Sequence, residues 1–269
     1  MKIGVCASVE KASLLAQLGY DFVEPAFNQL AAMDEDTYRR QTALLMRSGL
    51  AAESYNCFFP GEIALYSPDG NQDSLLCAVA DYAKQGFARA SEWGGKMAVI
   101  GSGWVRRIPD GMTKTEVDRQ FARVLAVCGE AAERYGMKIA VEPLSRNECN
   151  YIHTVEEGAA LARLSGHPSV GVTADFFHLT KNEDDLTALP LNAKYVWHAH
   201  LARPGDRKPP QAEDETLLRV YAEMLTYCSQ VERISLECAW GADFDGALSQ
   251  VRPLMEVFKS VRADVQSLN

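Results

Sequence analysis

Short β-rich runs alternate with longer stretches whose apolar residues recur at helical spacing along the whole chain. Residues 2–6 predict a strand and 9–18 a helix. Residues 21–24 predict a strand ended by Pro25, and 35–48 a helix closed by Gly49. A strand-like run at 51–58 precedes a helix at 73–93, stopped by Gly94 and Gly95. A strand at 96–100 leads through Gly-Ser-Gly-Trp into a long helix at 113–135 with Gly136 as its C-cap. The second half repeats the rhythm, with strands at 138–142, 170–175, 194–201 and 233–238. Helices are predicted between and after them at 154–164, 183–189, 213–230 and 243–261. Thr154 with Glu157 three residues on forms a capping box.

Eight strands in strict alternation with eight helices imply a parallel sheet, because parallel neighbours need crossovers. Eight units in 269 residues come to about 34 residues each, the size of a (β/α)8 unit. The predicted fold is therefore α/β, a single (β/α)8 TIM barrel forming one domain over 1–269. A doubly wound open sheet would carry a glycine-rich phosphate turn after its first strand. Ala7-Ser8-Val9-Glu10 stands there instead. No composition shift or linker marks a second domain.

Composition narrows the function. The chain is 47% hydrophobic and 23% charged, as soluble enzymes are. Its net charge of -9, with no Lys/Arg run longer than two residues, argues against a nucleic-acid partner. Seven cysteines without a C-x-x-C pair fit neither a disulfide framework nor a zinc ribbon. They predict a reducing compartment and read as small buried hydrophobes. Glu10 and Lys11 interrupt the N-terminal apolar stretch, so a signal peptide is not expected there. No apolar run approaches about 20 residues. The expectation is a cytoplasmic protein without a membrane partner.

In a barrel the functional face lies at the C-terminal ends of the strands. The fifth to eighth strands end in Glu142, Asp175, His200 and Glu237, about one βα unit apart. Each would deliver one metal ligand to the same rim. Three carboxylates and an imidazole suit one divalent ion, Mn2+ foremost, with Mg2+, Co2+ or Zn2+ as alternatives. Without a cation, like charges at an inward rim would repel. His198 shares the face of His200 but sits deeper, where packing or hydrogen bonding to a ligand is its expected task. His178 is either a substrate donor or a loop-surface residue, and His153 and His167 are expected at the surface. Glu24 ends the second strand and Glu53 lies within the third. Arg106 and Arg107, beside Trp104 in the fourth βα loop, either clamp a substrate acid group or are solvated. The loops at 102–104 and 57–60 either wall a substrate or pack beneath their neighbours, and Trp240 is placed near the same mouth.

The segments V-E-P-L-S-R-N-E (141–148), T-A-D-F-F-H (173–178), H-A-H-L-A (198–202) and S-L-E-C (235–238) resemble the xylose-isomerase-like sugar isomerase/epimerase superfamily. The nearest subgroup is the ketose 3-epimerases, such as D-tagatose and D-psicose 3-epimerase, with hydroxypyruvate isomerase and the inositol-catabolism enzymes close by. The resemblance implies a metal on Glu142, Asp175, His200 and Glu237, and sugar contacts from Glu148 and His178. It also implies an arginine from the loop after the metal histidine. Arg207 stands one place beyond the expected position, and Arg203 competes with it. That loop, R-P-G-D-R-K-P-P, departs from the epimerase pattern.

The proton beside the carbonyl of an α-hydroxy ketone is too weakly acidic for a free carboxylate. A divalent ion on the carbonyl and hydroxyl oxygens stabilises the enediolate, which lets a carboxylate act as base. Glu142 and Glu237, flanking the metal, are the expected acid/base pair of an isomerase or epimerase acting on a small sugar or hydroxy-ketone. The alternative is a metal-dependent dehydratase of an inositol- or shikimate-type keto substrate, which would use the same ligands. An endonuclease of this fold would need a three-zinc cluster with further histidines, and the chain has five His in all. Exposed helical faces leave a homo-oligomer open.

Overall fold

A computed structural model describes residues 1–267. The elements run β1 (Lys2–Cys6), α1 (Ala12–Gln17), β2 (Phe22–Glu24), α2 (Phe27–Ala32), α3 (Glu35–Ser48), β3 (Ser54–Tyr55), α4 (Asp73–Glu92), β4 (Met97–Ile100) and α5 (Lys114–Glu133). They continue with β5 (Lys138–Val141), α6 (Val155–Ser165), β6 (Val170–Asp175), α7 (Phe176–Lys181), α8 (Ala188–Leu191), β7 (Val196–Leu201), α9 (Glu215–Thr226), β8 (Arg233–Leu236), α10 (Phe244–Val251) and α11 (Val257–Ser267). Among the described residues the eight strands form one parallel sheet, ordered β2-β1-β8-β7-β6-β5-β4-β3. Isolated parallel bridges Phe22–Ala51 and Ala26–Asn56 join β2 to the β3 segment and all but close the sheet. The fold is the expected TIM barrel.

Local chemistry accounts for the helix ends. Asp34 caps α3 by accepting from the Thr37 N–H, and Gly49 ends it in the left-handed region. Thr113 and Glu116 form a complete capping box on α5. Only half of the box predicted for α6 forms. Thr154 accepts from the Glu157 N–H, but the Glu157 carboxylate reaches one residue further back, to the His153 N–H.

Three predicted elements differ, and one helix appears that the sequence does not predict. The run at 51–58 keeps only β3 as strand, because Glu53 O accepts from both Lys96 N and Met97 N and breaks the ladder. The helix predicted at 183–189 is displaced. Asp175 caps α7 directly at the end of β6, and Glu183 takes a left-handed φ of 56°. The helix predicted at 243–261 is split by a 3-10 turn at Arg252–Glu256 containing Pro253, which has no N–H for the ladder. The short α2 has no sequence signal of its own. It exists because Phe27 stacks on Phe58 with ring centroids 4.3 Å apart, in space that Gly86 of α4 leaves open.

The barrel interior is layered. At the N-terminal mouth Glu53 pairs with Lys2 and Arg233, so it stands at the end away from the functional rim. Above it Phe22 fills the space over Gly4, and Trp197 packs on Gly171 and joins Met97 and Ala140 in a small apolar cluster. Higher still lie Ser54, Ser235, His198 and Glu24, all buried. Among the described residues no helix is long and apolar enough to cross a membrane.

A Cβ on Gly171 would lie 2.4 Å from the Trp197 ring and 2.8 Å from the Tyr195 carbonyl oxygen. Gly171→Ala is therefore expected to destabilise the barrel by about 1–3 kcal/mol through overpacking. The urea midpoint should fall with the slope unchanged. An unaltered midpoint would contradict the packing described.

Candidate functional site

Four strand ends converge at the C-terminal rim. Glu142 follows β5, its N–H continuing the ladder to Ile100 O. Asp175 is the last residue of β6, His200 lies within β7, and Glu237 follows β8 with its N–H on Leu201 O. The Nδ1 of His200 is 2.7 Å from Glu142 Oε1, 3.8 Å from Glu237 Oε2 and 3.9 Å from Asp175 Oδ2. All four side chains are buried or nearly so, Glu237 being the most open at 17%. Gly101 makes the arrangement possible, since a Cβ there would lie 2.2 Å from Glu142 Oε2.

His178 stands beside this set. Ligand atoms of Glu142, Asp175, His178 and Glu237 all lie within 4.8 Å of one another. The two histidines are held in opposite senses. His178 Nδ1 accepts from the Ser145 N–H at 3.0 Å, so the neutral ring carries its proton on Nε2. His200 Nε2 faces the Glu24 carboxylate at 2.8 Å, so that nitrogen carries the proton and Nδ1 turns to the cluster. Among the described residues, Asp175 Oδ2 and His178 Nε2 are buried with no hydrogen-bond partner.

Arg207 crosses the cluster. Its guanidinium donates to Glu237 Oε2 at 2.6 Å and to both oxygens of Glu148 at 3.2 and 3.3 Å, lying 5.2 Å over the Phe177 ring. Its backbone is left-handed, with φ 59°, and its carbonyl accepts from the Ala239 N–H, tying the loops after β7 and β8 together. Arg203 is instead paired with Asp206. The structure thus selects Arg207 over its competitor as the arginine at the cluster.

Burial and like charge dominate the electrostatics. Desolvation, then the charge of Glu237, raises the Glu142 carboxyl above its ordinary value. The same causes push Asp175 up to about 6. Burial would lower His200, yet Glu24 foremost, then Cys6, Glu142 and Glu237, hold it well above the usual imidazole range. Burial would raise Glu24, yet His200 and His198 hold it well below. Burial lowers His178, which keeps its ring neutral.

Other expected positions fall elsewhere. Trp104 is 79% exposed, with the Arg107 guanidinium 5.9 Å from its ring, and sits outside the cluster. Arg106 is fully buried rather than solvated, donating to Ile100 O at the foot of the same loop. His153, expected at the surface, is buried and bonded to Leu144 O, and His167 is half-buried. Cys57 and Cys77 are exposed, whereas Cys128, Cys149 and Cys228 are buried as expected. Glu24, which sequence reasoning left as a minor rim residue, is at the centre. The available signal was its place at the end of β2, level with the other strand ends.

The chain resembles known proteins along its length. It is 28% identical over 119 residues to 3-dehydro-D-guloside 4-epimerase of Escherichia coli K12, covering 42% of this chain and 45% of that one. The chain spans less than half the length of the curated relatives it matches. In fold it is similar to D-psicose 3-epimerase solved in the presence of D-fructose, with a TM-score of 0.82 and 16% identity over 97% of this chain and 99% of that one. It is also similar to the IOLI protein with a binding zinc atom, with a TM-score of 0.68 and 17% identity over 98% of this chain and 99% of that one. Residues 12–225 match the xylose isomerase-like TIM barrel, and the chain belongs to that family.

Proposed function

We propose that the chain is a divalent-metal-dependent isomerase or epimerase of a ketose or small hydroxy-ketone. One observation carries this reading. Three carboxylates crowd a single imidazole nitrogen in a nearly closed space, where Asp175 Oδ2 has no hydrogen-bond partner among the described residues. Such a set is stable only with positive charge among it. Glu142, Asp175, His200 and Glu237 would hold the ion, with Mn2+ the favoured metal on oxygen-rich ligands. When bound, a divalent ion supplies positive charge to the carbonyl and hydroxyl oxygens as the proton leaves the carbon beside them.

The protein's own groups do the rest. Glu142 and Glu237 are the acid/base pair. They reach the cluster from β5 and β8, with β6 and β7 between them, so they can address a substrate from different sides. Burial and mutual repulsion raise the Glu142 carboxyl, which suits a base that must also return a proton. His178 is the hydrogen-bond donor to a substrate oxygen, because its neutral ring turns an Nε2–H to the site. Its tautomer makes it a donor and leaves the ligand role to His200. Arg207 and Glu148 are the polar contacts for sugar hydroxyls, and Trp104 is an outer apolar contact. The similar proteins, a 4-epimerase and a 3-epimerase of sugars, and the zinc of the IOLI protein support the reading.

A panel of ketoses and 3-keto sugars in D2O with Mn2+, followed by NMR, should show deuterium entering beside the carbonyl of at least one member. A chelator should abolish exchange and Mn2+ restore it. Exchange surviving exhaustive chelation sinks the reading, and a conjugated-carbonyl product without exchange into an isomer moves the chain to the dehydratases.

Glu237→Gln keeps the shape of the side chain and removes its basicity. It is expected to lower kcat by about 10²–10⁴-fold while far-UV circular dichroism stays unchanged. Wild-type turnover in this variant would remove Glu237 from the acid/base pair.

The metal-free protein should also respond to pH in a defined direction. Burial and the charge of Glu237 push the Asp175 carboxyl up to about 6 in the folded chain, from an ordinary value of 3.8. Between those values the folded chain binds more protons, so stability falls as pH rises through about 6. Mn2+ is therefore expected to raise Tm more at pH 7.5 than at pH 5.5, and Asp175→Asn should lessen that difference. Equal Mn2+ shifts at both pH values would contradict the assignment.

A further inference from the structure

We propose that Glu24 is the positioning residue of the metal centre, fixing the His200 ring so that one nitrogen faces the carboxylate cluster as a lone pair. This rests on the metal-dependent reading above. β2 contributes no ligand in that reading, yet its last residue is fully buried beneath the cluster. Glu24 Oε1 accepts from His200 Nε2 at 2.8 Å. Its Oε2 accepts from His198 Nε2 at 3.0 Å, from Ser235 Oγ at 2.5 Å and from Ser54 Oγ. Four donors from β3, β7 and β8 leave the carboxylate no freedom to turn.

An ionised carboxylate can only accept. Its bond to His200 therefore requires the hydrogen on Nε2 and leaves Nδ1 as the available lone pair of the neutral ring. That Nδ1 is the atom lying 2.7 to 3.9 Å from the three carboxylates. The anion behind the ring also makes the imidazole a better donor to a cation.

The same geometry gives His198 a task. Its Nδ1 has no partner among the described residues, so its hydrogen bond is made through Nε2 to Glu24. The two rings stand nearly perpendicular, at 83° with centroids 4.9 Å apart, and so meet different oxygens of one carboxylate. His198 thus helps hold the group that holds His200.

Glutamine in place of Glu24 keeps the volume but presents one acceptor and one donor. It cannot accept from all four partners at once, so His200 loses its fixed tautomer. The test is Mn2+ titration of metal-stripped wild type, Glu24→Gln and Ser235→Ala, with free Mn2+ read by electron paramagnetic resonance. Nitrogen-15 NMR of the Zn2+-loaded proteins reports the His200 tautomer. Glu24→Gln is expected to weaken Mn2+ binding about 10–100-fold. Ser235→Ala should weaken it less, in the same direction. The NMR should show one His200 tautomer in the wild type and a mixture in Glu24→Gln. Glu24→Gln binding within twofold of wild type, with the same tautomer, overturns the proposal. If Glu24→Gln fails to fold, unchanged affinity in Ser235→Ala overturns it. Wild type that binds no stoichiometric Mn2+ refutes instead the metal-dependent reading on which the inference stands.

Discussion

Like charge held away from water governs this molecule's upper barrel. Glu142, Asp175 and Glu237 approach one imidazole nitrogen in a space where solvent screens poorly. Isolated carboxylates there would repel and take up protons, and the raised values of Glu142 and Asp175 express that tendency. His200 and Arg207 supply the opposing charge, and Glu24 on the far side of His200 balances the imidazole in turn. The alternation of charge runs from Glu24 through His200 to the rim carboxylates and on to Arg207 and Glu148. Removing His200 or Arg207 takes away opposing charge from the rim carboxylates.

The surrounding structure is arranged to permit this. Gly101 leaves the volume that the Glu142 carboxylate occupies, and Arg106 holds the carbonyl of the preceding residue. The loop after β5 returns through Ser145, whose N–H orients His178, while His153 and Asn182 both bond to Leu144 O within that loop. Two histidines thus acquire different chemistry from their distal partners. A backbone donor makes His178 a donor to the site, and a carboxylate acceptor behind His200 turns its Nδ1 to the rim carboxylates. In the proposed reading, one residue type performs two tasks without any difference in the imidazole itself.

The barrel and the converging strand ends were legible in the chain because the strands are short and apolar and each of the last four carries an ionisable residue at or next to its end. That pattern is local and needs no knowledge of what lies across the barrel. The elements that escaped depend on distant partners. The helix at Phe27–Ala32 rests on Phe58 and the gap at Gly86. The helix starting at Phe176 was displaced in the sequence reading because Asp175 acts at once as strand end and N-cap. His153, expected at the surface, is covered by the loop groups Leu144 and Asn182, whose approach no spacing reveals.

Order along the chain was sufficient to place Glu142, Asp175, His200 and Glu237 at one rim, since a parallel strand always delivers its last residue to the same face. It could not select Arg207 over Arg203. That choice depends on the loop after β7 turning through a left-handed residue to meet Glu148 and Glu237. Nor could it raise Glu24 from a minor rim position, because its partners come from β3, β7 and β8, up to 211 residues away. Side-chain identity and period decide which groups reach the rim. Only closure of the barrel decides which of them touch, and hydrogen bonding and charge act over the few ångströms that closure sets.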